Sequence, residues 1–439
     1  MIKPDNSSQT SPQQIYDFAA QIFPIARSIT GNGVRQTLAM IKQHLPGLEV
    51  FEIPSGTQAF DWQIPDEWNI TDAYIMDESG RKVVDWQTNN LHVVSYSTPV
   101  NEIMSLDELD KHLHSLPEQP DAIPYVTSYY KPCWGFCLSH TLRQQLKNGS
   151  YRVVIDSQLK PGSLTYGELM IPGEEASEIL LSTYVCHPSM ANNECSGPAV
   201  TTFLAKWLLE QPRRRHTYRI VFIPETIGSI VYLSRNLEQM QRNIIAGFVV
   251  TCVGDNRDYS FMPSRLANTL ADKVALHILR NHTEKFTPCS FLERGSDERQ
   301  YCSPLVNLPV VSIMRSKYGK YPEYHTSLDN LSLISPEGLS GACELLKKCL
   351  IALEQNCIYT ATTFCEPQLG KRNLYPTLSA RGSVGAQTLL MRDILAYSDG
   401  KLDLIDIAGI LGVSIEECCS IVELLLTHGL LKRVAASQN

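Results

Sequence analysis

The stretch ILLSTYVCHPSMANNECSGPAVTTFLAKWLL, residues 179–209, combines the strand, loop and helix that decide the fold. Its first seven residues form an apolar run of strand length, and residues 199–209 have the apolar spacing of a buried helix. His187 follows the strand directly, and Pro188 stops that strand from continuing. The stretch therefore predicts a strand–loop–helix unit whose polar loop lies at the carboxyl end of the strand.

The same rhythm of strands and helices recurs from residue 151 onward. We expect strands at residues 152–155, 179–185, 218–223, 246–252 and 309–314. We expect helices at residues 199–209, 230–236, 266–279 and 336–355. Apolar runs of strand length separated by helices are typical of a mostly parallel sheet that helices cover on both faces. The sequence therefore predicts an α/β fold.

The regions on either side of this α/β segment have different sequence patterns. Helical spacing marks residues 13–45, whereas short alternating runs broken by Pro, Asn and Gly mark residues 51–132 as a small β module. After a loop rich in Pro, Gly and Ser at residues 365–385, residues 403–434 show the helix–turn–helix–strand order of a winged helix. We therefore predict an α/β domain of residues 1–50 and 133–360, an inserted β domain of residues 51–132, and a linker with a winged helix at residues 361–439.

Composition excludes several classes of function. The chain has 439 residues and a formal net charge of −8, which argues against a general nucleic-acid or membrane-surface binder. Its 13 cysteines are odd in number and irregularly spaced, as expected of free thiols in a reducing compartment. The first residues are polar, without the apolar run of a signal peptide. We expect a cytoplasmic protein with no membrane partner.

The predicted winged helix is acidic where a DNA-binding helix is basic. Its second helix carries Glu416 and Glu417, and only Lys432 and Arg433 follow. A phosphate backbone would be repelled more than attracted. This favours packing within the chain or a homo-oligomer contact over DNA binding, and a DNA-binding regulator with a ligand-sensing domain would need a basic face.

Four polar clusters follow predicted strands, where α/β enzymes place their sites. The clusters contain His187 with Asn193 and Glu194, then Glu225, then Asp255, and finally the run 294–329, which includes Asp297, Glu298, Arg299, Tyr324 and His325. Taken singly, His187 reads as a buried neutral side chain, Glu225 as a helix cap and Asp255 as a turn residue. Taken together, two imidazoles, carboxylates and a further Glu indicate a zinc site with a base for water activation.

The order of these residues resembles that of the zinc aminopeptidase superfamily, which includes bacterial leucyl aminopeptidases, glutamate carboxypeptidase and glutaminyl cyclase. More closely, the chain resembles a bacterial aminopeptidase-like family that is often encoded near polysaccharide-biosynthesis genes. The resemblance rests on phrases along nearly the whole chain: IPSGTQAFDWQIPDEWNI (53–70), CHPSMANNECSG (186–197), PETIGS (224–229), RGSDERQY (294–301) and YPEYHTSLDN (321–330). It implies a zinc-aminopeptidase-like sheet, an inserted β domain and a C-terminal winged helix.

The departures from the superfamily pattern limit the metal site that the resemblance implies. Asn193 stands where the two-zinc enzymes have a bridging Asp, Thr226 where they have a ligand Glu, and Ser189 where they have an Asp that orients the His. A neutral amide is a poor zinc ligand. The resemblance therefore implies one zinc ion at most.

The resemblance also suggests a role for each site residue. His187 and Asp255 would hold the zinc, with Glu194 as a substitute for Asn193 and His325 at the weakened position. Glu225 would be the general base, and the substrate side would be formed by Asp297, Glu298, Arg299 and Tyr324. The expected function is hydrolysis of a small or short peptide substrate with an amino-acid- or sugar-linked amide. The alternative is a non-catalytic protein that binds such a ligand in the same cleft.

Overall fold

The computed structural model describes residues 10–374 and 385–434. Residues 1–9 of the predicted α/β domain, residues 375–384 of the predicted linker and residues 435–439 lie outside the described residues. The described residues form these α-helices: α1 (Pro12–Ile22), α2 (Asn32–His44), α3 (Leu106–Leu109), α4 (His140–Gln145), α5 (Ser196–Glu210), α6 (Ile227–Asn243), α7 (Leu270–His282), α8 (Glu298–Tyr301), α9 (Pro336–Gln355), α10 (Ala386–Tyr397), α11 (Leu404–Leu411) and α12 (Ile415–Thr427).

The strands belong to one large sheet and several small ones. In chain order they are β1 (Glu49–Pro54), β2 (Gln58–Ala59), β3 (Trp62–Gln63), β4 (Glu67–Met76), β5 (Lys82–Asp85), β6 (Val100–Ser105), β7 (Leu113–His114), β8 (Phe136–Cys137), β9 (Ser150–Lys160), β10 (Ser163–Ile171), β11 (Glu178–Tyr184), β12 (Thr217–Ile223), β13 (Ile244–Val249), β14 (Tyr259–Met262), β15 (Phe286–Pro288), β16 (Val310–Met314), β17 (Ile358–Ala361), β18 (Asp399–Asp403) and β19 (Leu431–Arg433).

The central sheet has eight strands in the order β1-β10-β12-β11-β13-β16-β14-β15. Its middle strands β12, β11, β13 and β16 are parallel, whereas β10 and β14 join them antiparallel. All seven residues of β11 are buried, as expected of a strand covered on both faces. The predicted α/β fold is confirmed, and the antiparallel flanking strands make its sheet mixed.

Helix α1 shows how local sequence positions the layer next to the site. Ser11 caps its amino end in a reciprocal hydrogen-bond pair with Gln14, and Pro12 occupies the first helical position. Ile15, Phe18 and Ile22 recur at helical spacing and are buried. The chain then turns through residues 23–31 before α2, and this turn forms part of the wall of the candidate site described below.

A four-stranded antiparallel sheet, β5-β4-β9-β6, lies beside the central sheet. The strand predicted at residues 152–155 belongs to β9 of this smaller sheet, so its predicted place in the parallel sheet was wrong. The alternation of buried and exposed residues along β9 has the two-residue period of a strand with one solvent face. The β region therefore extends past residue 132, while β1, which includes residues 51–54, pairs with β10 in the central sheet.

The C-terminal part has the expected winged-helix elements. Strands β18, β17 and β19 form a three-stranded sheet next to α10, α11 and α12. This unit contacts the central domain through α7, where Lys273 lies 2.7 Å from Asp406 and the Ile415 N–H donates to His277 Nε2 at 3.0 Å. In residues 10–374 and 385–434 no helix has the length and apolar character needed to cross a bilayer.

Candidate active site

A cavity of about 390 Å³ opens where the loops after β11 and β12 meet the β region. His187, Glu225, Arg299 and His325 supply its charged and titratable wall. The rest of the wall is largely aromatic: Trp62, Tyr125, Tyr129 and Tyr130. Because β11 and β12 are parallel neighbours, their carboxyl ends bring His187 and Glu225 to the same edge of the sheet.

His187 lies between two carboxylates. Its Nδ1 is 2.7 Å from Glu194 Oε2, and its Nε2 is 3.4 Å from Glu225 Oε2. Burial by itself would lower the pKa of His187, but Cys186 and Glu194 outweigh it and raise the pKa well above the usual value. This direction favours the protonated ring, with Glu194 on its Nδ1 side and Glu225 and the cavity on its Nε2 side.

Arg27 contacts both His187 and Glu194 on the side away from the cavity, and sequence reasoning missed it. Its side chain is 2% exposed, and its Nε donates to the main-chain oxygen of His187 at 2.9 Å. The same Nε lies 3.4 Å from Glu194 Oε1. A buried carboxylate requires a counter-charge, and Glu194 has two, Arg27 and His187. One arginine after a helix is an ordinary surface pattern, so only the packing identifies Arg27 as part of the site.

Glu225 projects into the cavity from a strained turn. The next residue, Thr226, has a φ of 64°, which is uncommon for a β-branched residue. The N–H of Thr226 donates to Asp297 Oδ1 at 2.8 Å, and this bond pins the turn. Burial raises the pKa of Glu225, although His187 and Arg299 oppose the shift. A raised pKa makes a carboxylate a better proton acceptor, which is the direction that a general base needs.

Asp297, Glu298 and Arg299 have separate structural roles. Asp297 accepts from Thr226 and from Ser229 Oγ, the latter at 2.8 Å, and burial next to Glu225 raises its pKa to about 7. Glu298 accepts from Tyr318 Oη at 2.6 Å and from Gly295 N at 2.9 Å, so it braces its own loop. Of these three, Arg299 lines the cavity, and it donates to the Thr226 hydroxyl.

His325 faces His187 across the cavity. The two rings have centroids 5.6 Å apart, and Tyr324 stacks on His325 at 3.9 Å. Burial and the nearby His187 lower the pKa of His325 to about 3, so its imidazole is neutral. Tyr324 acts on the site through this stacking and does not line the cavity. His325 thus remains a candidate metal or substrate contact.

Asp255 and Asn193 make hydrogen bonds away from the cavity wall. Asp255 Oδ2 accepts from Asn192 Nδ2 at 2.9 Å and from Ser316 N at 3.1 Å. Asn193 Nδ2 donates to Tyr184 Oη at 2.9 Å, while its Oδ1 is buried without a hydrogen-bond partner among the described residues. Neither residue belongs to the cavity lining. The two predicted ligands therefore lie in the supporting loops of the site.

One group of potential metal ligands is already assembled. Among the described residues, Cys186, His187 and Glu194 are the one set of three His, Cys, Asp or Glu side chains with ligand atoms within 4.8 Å of one another. Burial raises the pKa of Cys186 to about 12. Sequence reasoning missed Cys186, although its position next to His187 at a strand end was a usable signal.

The fold and this site define an aminopeptidase-like α/β protein. A zinc aminopeptidase from Bacillus subtilis is 12% identical, and the similarity covers 79% of this chain and 96% of that chain with a TM-score of 0.57. A peptidase M28 precursor from Shewanella amazonensis is also 12% identical, covering 80% and 94% of the two chains with a TM-score of 0.54. At this identity the likeness concerns the fold alone.

The chain belongs to the DUF4910 family, described as a domain of unknown function, whose family model matches residues 16–356. A winged helix-turn-helix family model matches residues 357–433. A Clostridium acetobutylicum protein, provisionally named as a polysaccharide biosynthesis protein with an aminopeptidase-like domain, is 46% identical over 404 residues, 92% of each chain. A crystal structure from that organism, provisionally named a peptidase, has a TM-score of 0.90 at 44% identity and covers 96% of each chain. These relatives confirm the predicted resemblance.

Proposed function

We propose that this protein hydrolyses an amide bond in a small substrate with an amino-acid or sugar component, with Glu225 as the general base. One observation carries the proposal: the partly buried Glu225 carboxylate, with its raised pKa, lies in the cavity wall 3.4 Å from Nε2 of His187. The aminopeptidase-like fold supports the reaction class. The provisional name of the Clostridium relative supports a sugar component in the substrate.

The roles of the side chains follow from their charges. Glu225 accepts a proton from the attacking water and returns it to the leaving amine. His187 Nε2 lies 3.4 Å from Glu225 and can carry its proton while Nδ1 ligates a metal, so it orients the Glu225 carboxylate and donates to the amide oxygen as negative charge develops there. Arg299 contributes a positive charge at the cavity wall. The aromatic wall of Trp62, Tyr125 and Tyr129 excludes water from the reacting bond.

One zinc ion would be the cofactor of the proposed reaction. Cys186, Nδ1 of His187 and Glu194 would hold it, and the ion would displace the protons of the thiol and of Nδ1, which leaves thiolate, imidazole and carboxylate donors that suit zinc. Asn193 and Thr226 leave no acid for a second ion, and Arg27 lies 3.4 Å from Glu194 and opposes a further positive charge there. The residues therefore fit a single, weakly held ion. When bound, zinc supplies a Lewis acid that polarises the amide carbonyl.

A second candidate function is ligand binding without catalysis. The neutral Asn193 and the Arg27–Glu194 pair favour it, because both reduce the negative charge that a catalytic metal requires. In that case the cavity would hold the same class of ligand and release it unchanged. The two functions differ in turnover and in the effect of Glu225.

The proposal is tested by hydrolysis of a panel of aminoacyl-anilides and N-acyl amino sugars by the full chain, with and without added zinc. We expect turnover of at least one substrate, and a loss in Glu225→Gln of roughly a thousandfold. Zinc content measured by elemental analysis should stay the same in that variant. Glu344→Gln, whose side chain is 63% exposed on α9, is the matched control. Turnover that survives in Glu225→Gln would rule out Glu225 as the general base, and binding of a ligand without any turnover would favour the second function.

A further inference from the structure

A second cavity, of about 400 Å³, lies between the α1–α2 connection and the smaller β sheet. Its wall consists of some of the residues in the segments 23–36, 68–70 and 86–90, together with Ser189. None of the described residues that line it carries a charge, in contrast to the candidate active site. Its polar wall consists of amides and hydroxyls, and its aromatic surface includes Trp86.

Several polar groups of this cavity are free to bind a ligand. Within the described chain, the side-chain amide of Gln36 and the indole N–H of Trp86 have no hydrogen-bond partner. Asn32 and Asn89 use only their oxygens, which accept from Arg35 at 3.1 Å and from Leu91 N at 2.9 Å. Their Nδ2 groups therefore remain available as donors. The cavity thus combines an indole with at least three unused amide groups.

This lining selects against charged ligands. A phosphate or carboxylate would lose its hydration in the cavity and find no counter-charge. A neutral saccharide, by contrast, can place the C–H face of a ring against an indole and its hydroxyls against amides. The volume lies within the range of small-molecule sites and exceeds that of a single water or ion. We propose that this cavity is a binding site for a neutral mono- or disaccharide.

The saccharide cavity is separate from the candidate active site but shares a wall with it. Ser28 and Thr30 line the saccharide cavity, whereas Ile29, between them, lines the active-site cavity. On the other side, Ser189 lines the saccharide cavity two residues after His187. Asn90 Oδ1 accepts from Ser189 N at 3.0 Å and so ties the β region to the loop of His187. The proposal does not depend on catalysis at Glu225.

The test is calorimetric titration of the full chain with methyl glucoside, methyl galactoside, N-acetylglucosamine, chitobiose and lactose. We expect at least one of them to bind. Trp86→Ala should weaken that binding by about tenfold, through loss of the aromatic contact. Gln36→Ala should weaken it by about threefold, through loss of a hydrogen bond. Gln36 is exposed on α2, so this variant tests the site even if Trp86→Ala folds poorly.

The controls separate this site from the other cavity and from other ligands. Trp62→Ala alters the active-site cavity and should leave saccharide binding unchanged. Glucose 6-phosphate and glucuronic acid should bind at least about tenfold more weakly than their neutral counterparts, because the cavity offers no counter-charge. The proposal is overturned if no neutral saccharide binds, if Trp62→Ala has the effect expected of Trp86→Ala, or if a capped neutral tripeptide binds as tightly.

Discussion

Two cavities lie on either side of residues 28–30, and they differ in charge far more than in size. One, of about 390 Å³, contains His187, Glu225 and Arg299; the other, of about 400 Å³, has no charged residue in its described lining. The first opens between the loops after β11 and β12 and the β region, and the second between the α1–α2 connection and the smaller β sheet. Residues 28–30 are themselves uncharged, so the charge of the first cavity comes from side chains outside the shared wall, such as Glu225 and Arg299.

The comparison also shows what a buried charge requires. The charges around His187 in the first cavity are paired: Glu194 and Glu225 flank His187, and Arg27 lies against Glu194. Such pairs shift pKa values and create reactive groups. The second cavity avoids the cost of burying charge and keeps only groups that form hydrogen bonds. The first is suited to chemistry and the second to recognition.

The largest expected effect comes from His187→Ala, which removes the imidazole that contacts both Glu194 and Glu225. Turnover of the substrate identified with the aminoacyl-anilide panel should fall on the order of a thousandfold, and zinc should be lost. Saccharide binding should persist. Steady-state kinetics and elemental analysis measure the two losses, with the exposed His428→Ala as the control. Stoichiometric zinc or full turnover in His187→Ala would contradict the assignment.

A smaller effect is expected from Arg27→Met, which leaves Glu194 without its arginine. The free energy of unfolding should fall by about 3 kcal/mol, since the variant buries a poorly compensated carboxylate. The double variant Arg27→Met/Glu194→Gln should recover part of this loss. Urea denaturation measures both.

The matched control for Arg27→Met is Arg257→Met. Arg257 is 45% exposed and pairs with Glu323 at 2.9 Å. Its removal should cost less than about 1 kcal/mol. If Arg27→Met proves as mild as Arg257→Met, the buried pair does not support the charged cavity.

Asn193→Asp should sharpen the charge difference between the cavities. A carboxylate in the loop of Glu194 adds an anionic oxygen where Asn193 Oδ1 is buried without a partner, so zinc should bind about tenfold more tightly. Competition with a chelator measures the affinity, and Asn101→Asp on the exposed part of β6 is the control. Unchanged zinc affinity would show that Asn193 lies outside the metal position.

The smallest effect is expected at the shared wall. Ser28 Oγ lies 2.8 Å from Ser95 Oγ, and this hydrogen bond joins the wall to the β region. Ser28→Ala should lower the free energy of unfolding by about 1 kcal/mol. The variant should change saccharide affinity more than it changes turnover, because Ser28 lines the saccharide cavity. Equal losses of saccharide affinity and of turnover would mean that a change at residues 28–30 affects the two cavities together.

Local sequence patterns predicted most of the fold. The apolar runs of β11, β12, β13 and β16 and the helices between them were recognisable, because each buries its own residues at a characteristic spacing. The flanking strands β10, β14 and β15 were missed, and β9 was assigned to the wrong sheet. Sheet membership depends on distant partners, and the alternation along β9 was the available signal.

Local sequence patterns also predicted part of the candidate active site. His187 and Glu225 end neighbouring parallel strands, so their meeting follows from the order of strand ends. Asp255 met the same criterion, yet Asn192 and Ser316 engage its carboxylate. Position along a strand does not determine where a side chain finds its hydrogen bonds. That assignment of Asp255 as a ligand stays a prediction.

The sequence by itself determined the α/β architecture, the winged helix, and the presence of His187, Glu225, Arg299 and His325 at loop ends. The tertiary structure alone decided that Arg27 compensates Glu194, that Cys186 joins the possible ligands, and that one segment separates a charged cavity from an uncharged one. The reason is physical: periodicity and strand order are local properties of a chain. Charge compensation and the shape of a cavity arise only when residues far apart in sequence pack together.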